Sequence, residues 1–502
     1  MEHLAFCQNF PFFTIIMTLS SGVICSILKP KKAMYFQCIV IFATFVMSLI
    51  TLLFTLSTKT SYAFMMGHFP APWGNELRIG PFESLMATCF SGIMLLSLIG
   101  GMSHIFEDTE EKKTNLYFCM ISLLLSSLFA LIYTNDIFTG YVFVEINTIT
   151  SCAIVMLKYR GGKTIVATTR YMVMSLLGSG LFLLGITMLY DLTGHLLMPQ
   201  LGQAVNLLVE SNQYMFPLTV IIGLFSIGLS IKSALFPFHT WLPDAHGNAT
   251  ASSSAILSGL VLKGYIILLI KIFYRVIGLD VIEVDQVTNI LFVFGILAMI
   301  IGSIKAISQQ DIKKMLAYSS VAQIGYVYLG IGLGTNLGII AASLQILAHA
   351  FTKPMLFVCS GGLMDVSGGS KQAKDLSGAG YRDKLTGVAF TIGGLSMVGI
   401  PLLAGFSTKF NLCMAAIEYG NIKMIMALIA IIISTVLNAM YYLPAIFNLY
   451  HVRHDDSFKD VKAHYHFSYA IVLVIFILLN FSIGIFSDTY ESIISMGLST
   501  FG

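Results

Sequence analysis

Apolar runs long enough to cross a bilayer recur along the whole chain. They lie near 10–28, 34–56, 82–101, 116–133, 137–157, 167–190, 214–233, 249–273, 287–304, 317–333, 339–362, 386–411, 423–449 and 468–486. That makes fourteen, each close to the roughly 20 apolar residues that a span requires. Lipid offers backbone N–H and C=O groups no partner, so every run must be a helix; no tract alternates like a barrel strand. Composition points the same way. Of 502 residues, 56% are hydrophobic and 11% charged, where a soluble domain carries roughly 25% charge. Mean hydropathy is +0.84. Such a chain cannot cover itself with polar surface, which excludes a soluble globular protein. Aromatic residues at 12% exclude disorder. A net charge of +3 is too small to suggest nucleic acid. The expected fold is an all-α polytopic membrane protein. The polar stretches near 58–80, 191–213, 365–385 and 451–466 read as loops. The apolar N-terminus lacks a basic leading region and reads as a first span, not a cleaved signal.

Positive charge sets the orientation. Of the 28 Lys and Arg residues, 19 fall in loops after odd-numbered runs, from Lys29, Lys31 and Lys32 through Lys158, Arg160 and Lys163 to Arg453, Lys459 and Lys462. Five fall on the opposite side: Lys59, Arg78, Lys271, Arg275 and Lys423. The first side is expected to be cytoplasmic, with both termini outside. A miscounted run would scramble this asymmetry, so it supports fourteen. None of the eight cysteines forms a Cys-x-x-Cys, which leaves an iron–sulfur or zinc site without support. Most read as small buried hydrophobes. No Gly-rich phosphate loop follows a strand pattern. The chain is expected to hold no metal, no redox cofactor and no nucleotide.

The four remaining lysines, Lys232, Lys263, Lys353 and Lys409, lie within apolar runs, as do Glu145 and His349. One Lys at a span centre costs about 2.5–3.5 kcal/mol on insertion scales. Snorkelling to the headgroups accounts for Lys271 and also fits Lys232 or Lys409, each near a proline, Pro237 or Pro401, but Lys263 has apolar residues on both sides. Glu145, about eight residues into its run, should face the bundle interior and pair with a cation, by chemistry Lys232. Separating such a pair changes the proton affinity of both groups. His349 and Lys353 are four residues apart and share a helix face, which Gln345 continues one turn earlier; an imidazole suits a relay between lysines. Pro237 and Pro243 flank FPFHTWLPD after Lys232, and Gly399, Pro401 and Gly405 precede Lys409. Interrupted helices beside buried charge point to a transport site between inverted repeats, here runs 4–8 and 9–13 with runs 7 and 12 broken. The side chains describe a titratable axis suited to H⁺. A Na⁺ site would want more oxygen ligands.

These residues resemble a known family. KSALFPFHTWLPDAH (232–246) and SAILSGLVLKGY (254–265) look like the signature of the proton-translocating antiporter-like subunits of respiratory complex I, Mrp cation/proton antiporters and membrane-bound hydrogenases. MLAYSSVAQIGYV (315–327), HAFTKPMLF (349–357) and GIPLLAGFSTKF (399–410) match further blocks in order. The resemblance covers roughly residues 80–450. It implies fourteen helices, with helices 4–8 and 9–13 as inverted repeats. It also implies a helix-5 glutamate at Glu145 pairing with a helix-7 lysine at Lys232, and a central helix-8 lysine at Lys263. His349 and Lys353 would be the helix-11 pair, Lys409 the helix-12 terminus, and His246 a residue for water entry. The matching organisation is an N-terminal three-helix segment (1–110), two antiporter-like repeats (111–275 and 276–450) and a C-terminal loop with the last helix (451–502).

Departures from the family matter. Gln345 stands where many relatives carry a second histidine. GNATASS, between His246 and Ser254, lacks the prolines common in relatives and argues against a mainstream complex I subunit. HFPAPWGNELRIGP (68–81) resembles the Pro-Ala-Pro segment of D-type Mrp subunits and their hydrogenase counterparts. The chain ends soon after run 14 and is expected to lack a long lateral helix. The expected role is an H⁺-translocating, or Na⁺-translocating, subunit with no catalytic redox site of its own. It would sit in a prokaryotic-type cytoplasmic membrane among other membrane subunits. If redox-driven, it would work beside a peripheral module holding iron–sulfur centres, and nickel–iron in a hydrogenase. The competing readings are a complex I-type NADH or ferredoxin:quinone oxidoreductase subunit, a stand-alone secondary transporter, and a membrane scaffold.

Overall fold

Among the described residues, twelve helices are long and apolar enough to cross a membrane. The computed structural model describes residues 6–70, 73–158, 162–284, 286–451 and 467–501, without the side chains of 68, 162 and 282–284. Arg160, Arg453, Lys459 and Lys462 of the charge count, and Ala71 and Pro72 of the Pro-Ala-Pro segment, lie outside them.

The N-terminal helices are α1 (Phe10–Ile27), α2 (Pro30–Thr58) and α3 (Pro81–Gly100), followed by the short α4 (Met102–Asp108). Each of the first three has proline in its opening turn, where the missing N–H costs nothing. Next come α5 (Thr114–Tyr133), α6 (Ile137–Met156), α7 (Gly162–Thr193), the surface helix α8 (Met198–Glu210) and α9 (Met215–Lys232). After α9 the chain breaks and resumes as α10 (Trp241–Asn248). Then α11 (Ala251–Ile256) and α12 (Leu262–Ile272), with π-helical turns at Leu257–Val261 and Phe273–Ile277, form one rod, Ala251–Ile277.

The second half begins with the short α13 (Leu279–Val284) and continues with α14 (Gln286–Ile307), α15 (Ile312–Gly332) and the thirty-residue α16 (Asn336–Asp365). A turn at α17 (Ala379–Arg382) leads to α18 (Lys384–Val398), a second break, α19 (Ala404–Tyr419), α20 (Asn421–Leu449), α21 (Phe467–Ile485) and α22 (Ser487–Ser499). The apolar runs near 317–333 and 386–411 correspond to α15 and to the broken pair α18–α19, which are not among the twelve.

Polar side chains start several helices. Asp136 accepts Thr139 N–H at 2.6 Å, Asp311 accepts Lys313 N–H at 2.9 Å, and Asp383 accepts Thr386 N–H at 3.0 Å. Each such cap is worth about 1 kcal/mol. Small residues set close crossings. A methyl on Gly178 of α7 would meet Gly228 O of α9 at 2.7 Å, and one on Gly228 would meet Gly178 O at the same 2.7 Å. Helices associate in lipid through this kind of backbone approach.

Two stretches read as loops are ordered. Tyr62–Met65 (β1) and Glu76–Ile79 (β2) pair antiparallel with Tyr62 opposite Ile79, a short hairpin on the helical fold. The stretch near 191–213 contains α8, which buries Met198, Leu201 and Val205 on one face.

The rod Ala251–Ile277 and α16 are enclosed by protein along their length, whereas α1, α2, α7, α20 and α21 turn Leu, Ile, Val and Phe outward. The centre of the molecule is thus built from the two helices that carry Lys263, His349 and Lys353. On α4, His104 Nε2 lies 3.0 Å from Asp365 Oδ1 at the end of α16. Burial disfavours its imidazolium, but Asp365, with Asp108 and Glu107 nearby, outweighs this and raises its pKa above the ordinary value.

Candidate functional site

Lys232, Lys263 and Lys353 are 0% exposed and Lys409 is 7% exposed. Among the described residues, none of the four forms an ion pair. Neutral oxygens hold each ammonium instead. Lys232, the last residue of α9, donates to Thr148 Oγ1 of α6 at 2.7 Å. Lys263 donates to Ser258 O within the π-helical turn, and Ser258 Oγ lies 2.9 Å from Ser320 Oγ of α15. Lys353 donates to Ser319 Oγ at 2.7 Å, to Leu316 O at 3.0 Å and to Tyr442 Oη at 3.0 Å.

Lys409 takes the end of a half-helix. It donates to Val398 O at 2.7 Å and Met397 O at 3.1 Å, the last carbonyls of α18, and to Thr435 Oγ1 at 3.3 Å. Those carbonyls lack helical partners and carry the negative end of the helix dipole. Gly399, which closes α18 at φ +100°, makes the approach possible: a methyl there would meet Lys409 Cδ at 3.2 Å and Nζ at 3.3 Å.

Three of the lysines also face a buried tyrosine ring, which the sequence reading missed. Lys232 Nζ is 5.4 Å from the Tyr265 centroid, Lys353 Nζ 5.7 Å from Tyr442, and Lys409 Nζ 5.2 Å from Tyr326. A desolvated cation–π contact contributes about 2 kcal/mol. These rings let a charge sit in the interior without a carboxylate. Tyr265 Oη donates to Asn147 Oδ1 at 2.9 Å, next to Thr148.

The predicted residues fall into three groups. Lys263, His246, His349 and Lys353 are mutual electrostatic neighbours at the centre. His246 stacks on Phe357 at 5.1 Å. Both ring nitrogens of His246 and of His349 lack a protein hydrogen-bond partner. Gln345 donates to Gln323 Oε1 at 2.7 Å, giving α16 a neutral amide contact with α15 one turn before His349. Lys232 and Glu145 form a second group and Lys409 stands apart.

Two expectations are corrected. Glu145 is only partly buried and forms no ion pair among the described residues; Thr148, three residues further on the same helix face, takes the Lys232 ammonium. Glu145 acts on Lys232 only through space. Lys271 does not snorkel. It is 0% exposed and donates to Ile132 O and Thr134 O, both at 2.6 Å, at the end of α5. Partner carbonyls inside the protein replace the headgroups. Among the described residues, the acid with no exposed surface is instead Glu83, at the start of α3, which position at the edge of an apolar run had hidden.

A cavity of about 560 Å³ opens where α7, α10 and α15 meet, lined by Lys163, Arg170, Asp244, Asp311, Lys314 and Lys371 among others. Arg170 pairs with Asp244 at 2.6 Å and Lys371 with Asp311 at 2.8 Å. Lys371 also donates to Gly247 O at 3.0 Å, beside His246. Among the described residues, no group of three or more His, Cys, Asp or Glu side chains is placed to hold a metal.

The chain as a whole is similar to known membrane proteins. Residues 134–435 match the family described as NADH:quinone oxidoreductase/Mrp antiporter, TM. The N-type subunit of the NADH-quinone oxidoreductase of Desulforudis audaxviator is 32% identical over 79% of this chain and 77% of its own length. The D-type subunit of the Na(+)/H(+) antiporter of Alkalihalophilus pseudofirmus is 29% identical over 71% of this chain and 70% of its own. A chain of the membrane-bound sulfane sulfur reductase, an archaeal respiratory membrane complex, superposes with a TM-score of 0.87 at 26% identity, covering 98% of this chain and 97% of that one. The chain is therefore an antiporter-like, multi-pass membrane subunit belonging to the NADH:quinone oxidoreductase/Mrp antiporter transmembrane family.

Proposed function

We propose that the chain carries protons across the membrane as one subunit of a multi-subunit complex. One observation carries this reading: four interior lysines held by hydroxyls, carbonyls and tyrosine rings, with no carboxylate in contact. A lysine bound to a carboxylate leaves an unpaired buried anion when it gives up its proton, at several kcal/mol. A lysine bound to neutral oxygens leaves none. Its proton can pass to water or to a neighbouring imidazole, and a charge arriving nearby drives that release. Glu145 tunes Lys232 through space, with Thr148 holding the ammonium. His349, with both nitrogens free of protein partners, passes a proton between Lys263 and Lys353 along ordered water. Lys409 ends the axis.

With the Lys- and Arg-rich loops on the cytoplasmic side, both termini face outward and the 560 Å³ cavity is a cytoplasmic mouth leading to His246. The host complex is of Mrp type, as a cation/proton antiporter or its hydrogenase-like respiratory counterpart. A complex I-type host is the second reading, favoured by the N-type relative. Redox centres, where the host has them, sit on partner chains.

The test is Lys263→Met in the native complex, with transport measured after reconstitution into liposomes. Normal assembly with proton movement lost is expected. Full transport by the assembled variant refutes the axis. Mass spectrometry of the co-purifying chains separates the hosts: iron–sulfur subunits indicate a redox pump, and only small membrane subunits an antiporter. Transport by the isolated chain overturns the subunit reading.

A further inference from the structure

Glu83 is 0% exposed, and neither carboxylate oxygen has a protein hydrogen-bond partner. It sits in the first turn of α3, where an acid ordinarily reaches back to the N-cap N–H. Here the side chain folds over Gly80 without that bond. A methyl on Gly80 would meet Glu83 Oε2 at 3.0 Å, Ser61 Cβ at 3.3 Å and Thr500 Oγ1 at 3.5 Å. Helix capping therefore does not account for it.

Its surroundings are charged and polar. Arg78 and Glu76 come from β2, Lys271 from α12, Arg275 from the π turn after it, and Tyr133 from α5, which also has Tyr62 of β1 nearby. None of the three cations lies within 4.0 Å of the Glu83 carboxylate. Each is held by other groups. Arg78 donates to Ser61 Oγ at 2.8 Å, Arg275 donates to Phe501 O at 3.3 Å, and Lys271 spends two of its three N–H groups on Ile132 O and Thr134 O. Glu76 is engaged by Asn135 Nδ2. Around the carboxylate, the Tyr133 and Ser84 hydroxyls and Arg78 Nε are likewise buried without a protein partner, as is Ser48, which faces Tyr133. Buried polar groups that lack protein partners are the ones ordered water serves.

We propose that Glu83 and Lys271 form a second proton-exchange station, at the hairpin end of the molecule. The inference rests on the proton-carrying reading above. One proton leaves the Lys271 ammonium, crosses on water held among these unpartnered polar groups, and arrives on the Glu83 carboxylate. An amine and a carboxylic acid replace an ammonium and a carboxylate, with no change in net charge. Lys271 lies eight residues beyond Lys263 on the same rod, about 12 Å along its axis at 1.5 Å per residue. The station thus continues the central axis toward Arg78 and Ser61, which are only partly buried and form its mouth. Three cations around the carboxylate disfavour a metal cation and leave the proton as the cargo.

The experiment uses the intact host complex, with infrared titration of buried carboxyl groups and proton transport in Na⁺-free liposomes. Glu83→Gln should abolish one carboxyl band and slow transport roughly tenfold or more, with Glu83→Asp recovering most of it. The double variant with Lys271→Met should be no slower than the slower single, because both act on one proton. An assembled Glu83→Gln complex with unchanged spectrum and transport overturns the proposal, as does transport at this site that requires Na⁺. If Glu83→Gln does not assemble, Tyr133→Phe decides: a shifted band with slowed transport supports the station, and no change refutes it. Loss of transport in Lys263→Met with full transport in Glu83→Gln defeats this inference alone; full transport in both defeats the proton-carrying reading as well.

Discussion

The two broken helices solve one problem in different ways. Lys232 precedes its break and, among the described residues, donates its one hydrogen bond to a side-chain hydroxyl, Thr148 of α6. Lys409 follows its break and is held by two main-chain carbonyls of α18, with Thr435 as a third, longer contact. The first break turns through Ala234 at φ +58°, the second through Gly399 at φ +100° and Leu402 at φ +71°. A hydroxyl on a neighbouring helix can move with that helix. Backbone carbonyls at a helix terminus move only if the helix itself rewinds. The first lysine is therefore built for variable contact, and the second for a fixed anchorage.

That contrast can be broken by experiment. The largest effect should come from Lys409→Met, which strands two carbonyls and removes the end of the axis. Proton transport in liposomes is expected to fall by roughly 10²-fold or more, with the complex intact on size-exclusion chromatography. Retained transport would show that the anchor is structural. Next in size, Thr148→Val should slow transport roughly tenfold, since a hydrogen bond to a charged group is worth about 1.5–3 kcal/mol. Thr435→Val should cost less than threefold, because the two carbonyls remain. Equal effects of the two valine variants would erase the distinction drawn between the sites.

The breaks themselves give a smaller, structural test. Gly399→Ala forces a side chain into a left-handed conformation and against Lys409, and should cost about 1–3 kcal/mol in thermal unfolding. Ala234→Gly should stay within about 1 kcal/mol, because the lost methyl is offset by relief of strain. The smallest effect concerns His104, whose tether to Asp365 joins the N-terminal segment to α16. Folding raises its pKa. Its stabilisation is therefore fully present below the free imidazole value of about 6.5, and fades as pH rises through the higher folded value. Asp365 is half exposed, so screening keeps the contribution below about 1 kcal/mol. Unfolding temperatures of the parent and His104→Gln should differ at pH 6 and converge above neutrality. A gap that widens with pH would reverse the assignment.

Residues deep inside apolar runs were legible in advance. A lysine flanked by apolar residues, such as Lys263, has no route to water along its own helix, so its interior position follows from the pattern alone. His349 and Lys353 were legible for the same reason, reinforced by their four-residue spacing. Residues at the edges of runs were not. Lys271 and Glu83 have both a surface route and an interior route, and only the neighbouring helices decide between them. Glu145 shows the converse. Chemistry selected its partner correctly in sign, but which residue on one helix face meets Lys232 depends on axial offset between α6 and α9, and Thr148 sits closer.

The sequence by itself determined a polytopic helical membrane protein, broken near Pro237 and Pro401, with four lysines and a histidine inside it. Hydrophobic burial and backbone hydrogen bonding are strong and local, and they leave an apolar chain no other course. The tertiary structure alone decided what each charge touches: tyrosine rings over three lysines, helix-end carbonyls under Lys409, and a carboxylate at Glu83 with cations around it and none in contact. Those contacts join residues far apart in the chain through a few ångströms of helix offset and rotation, to which the pattern of apolar residues is insensitive.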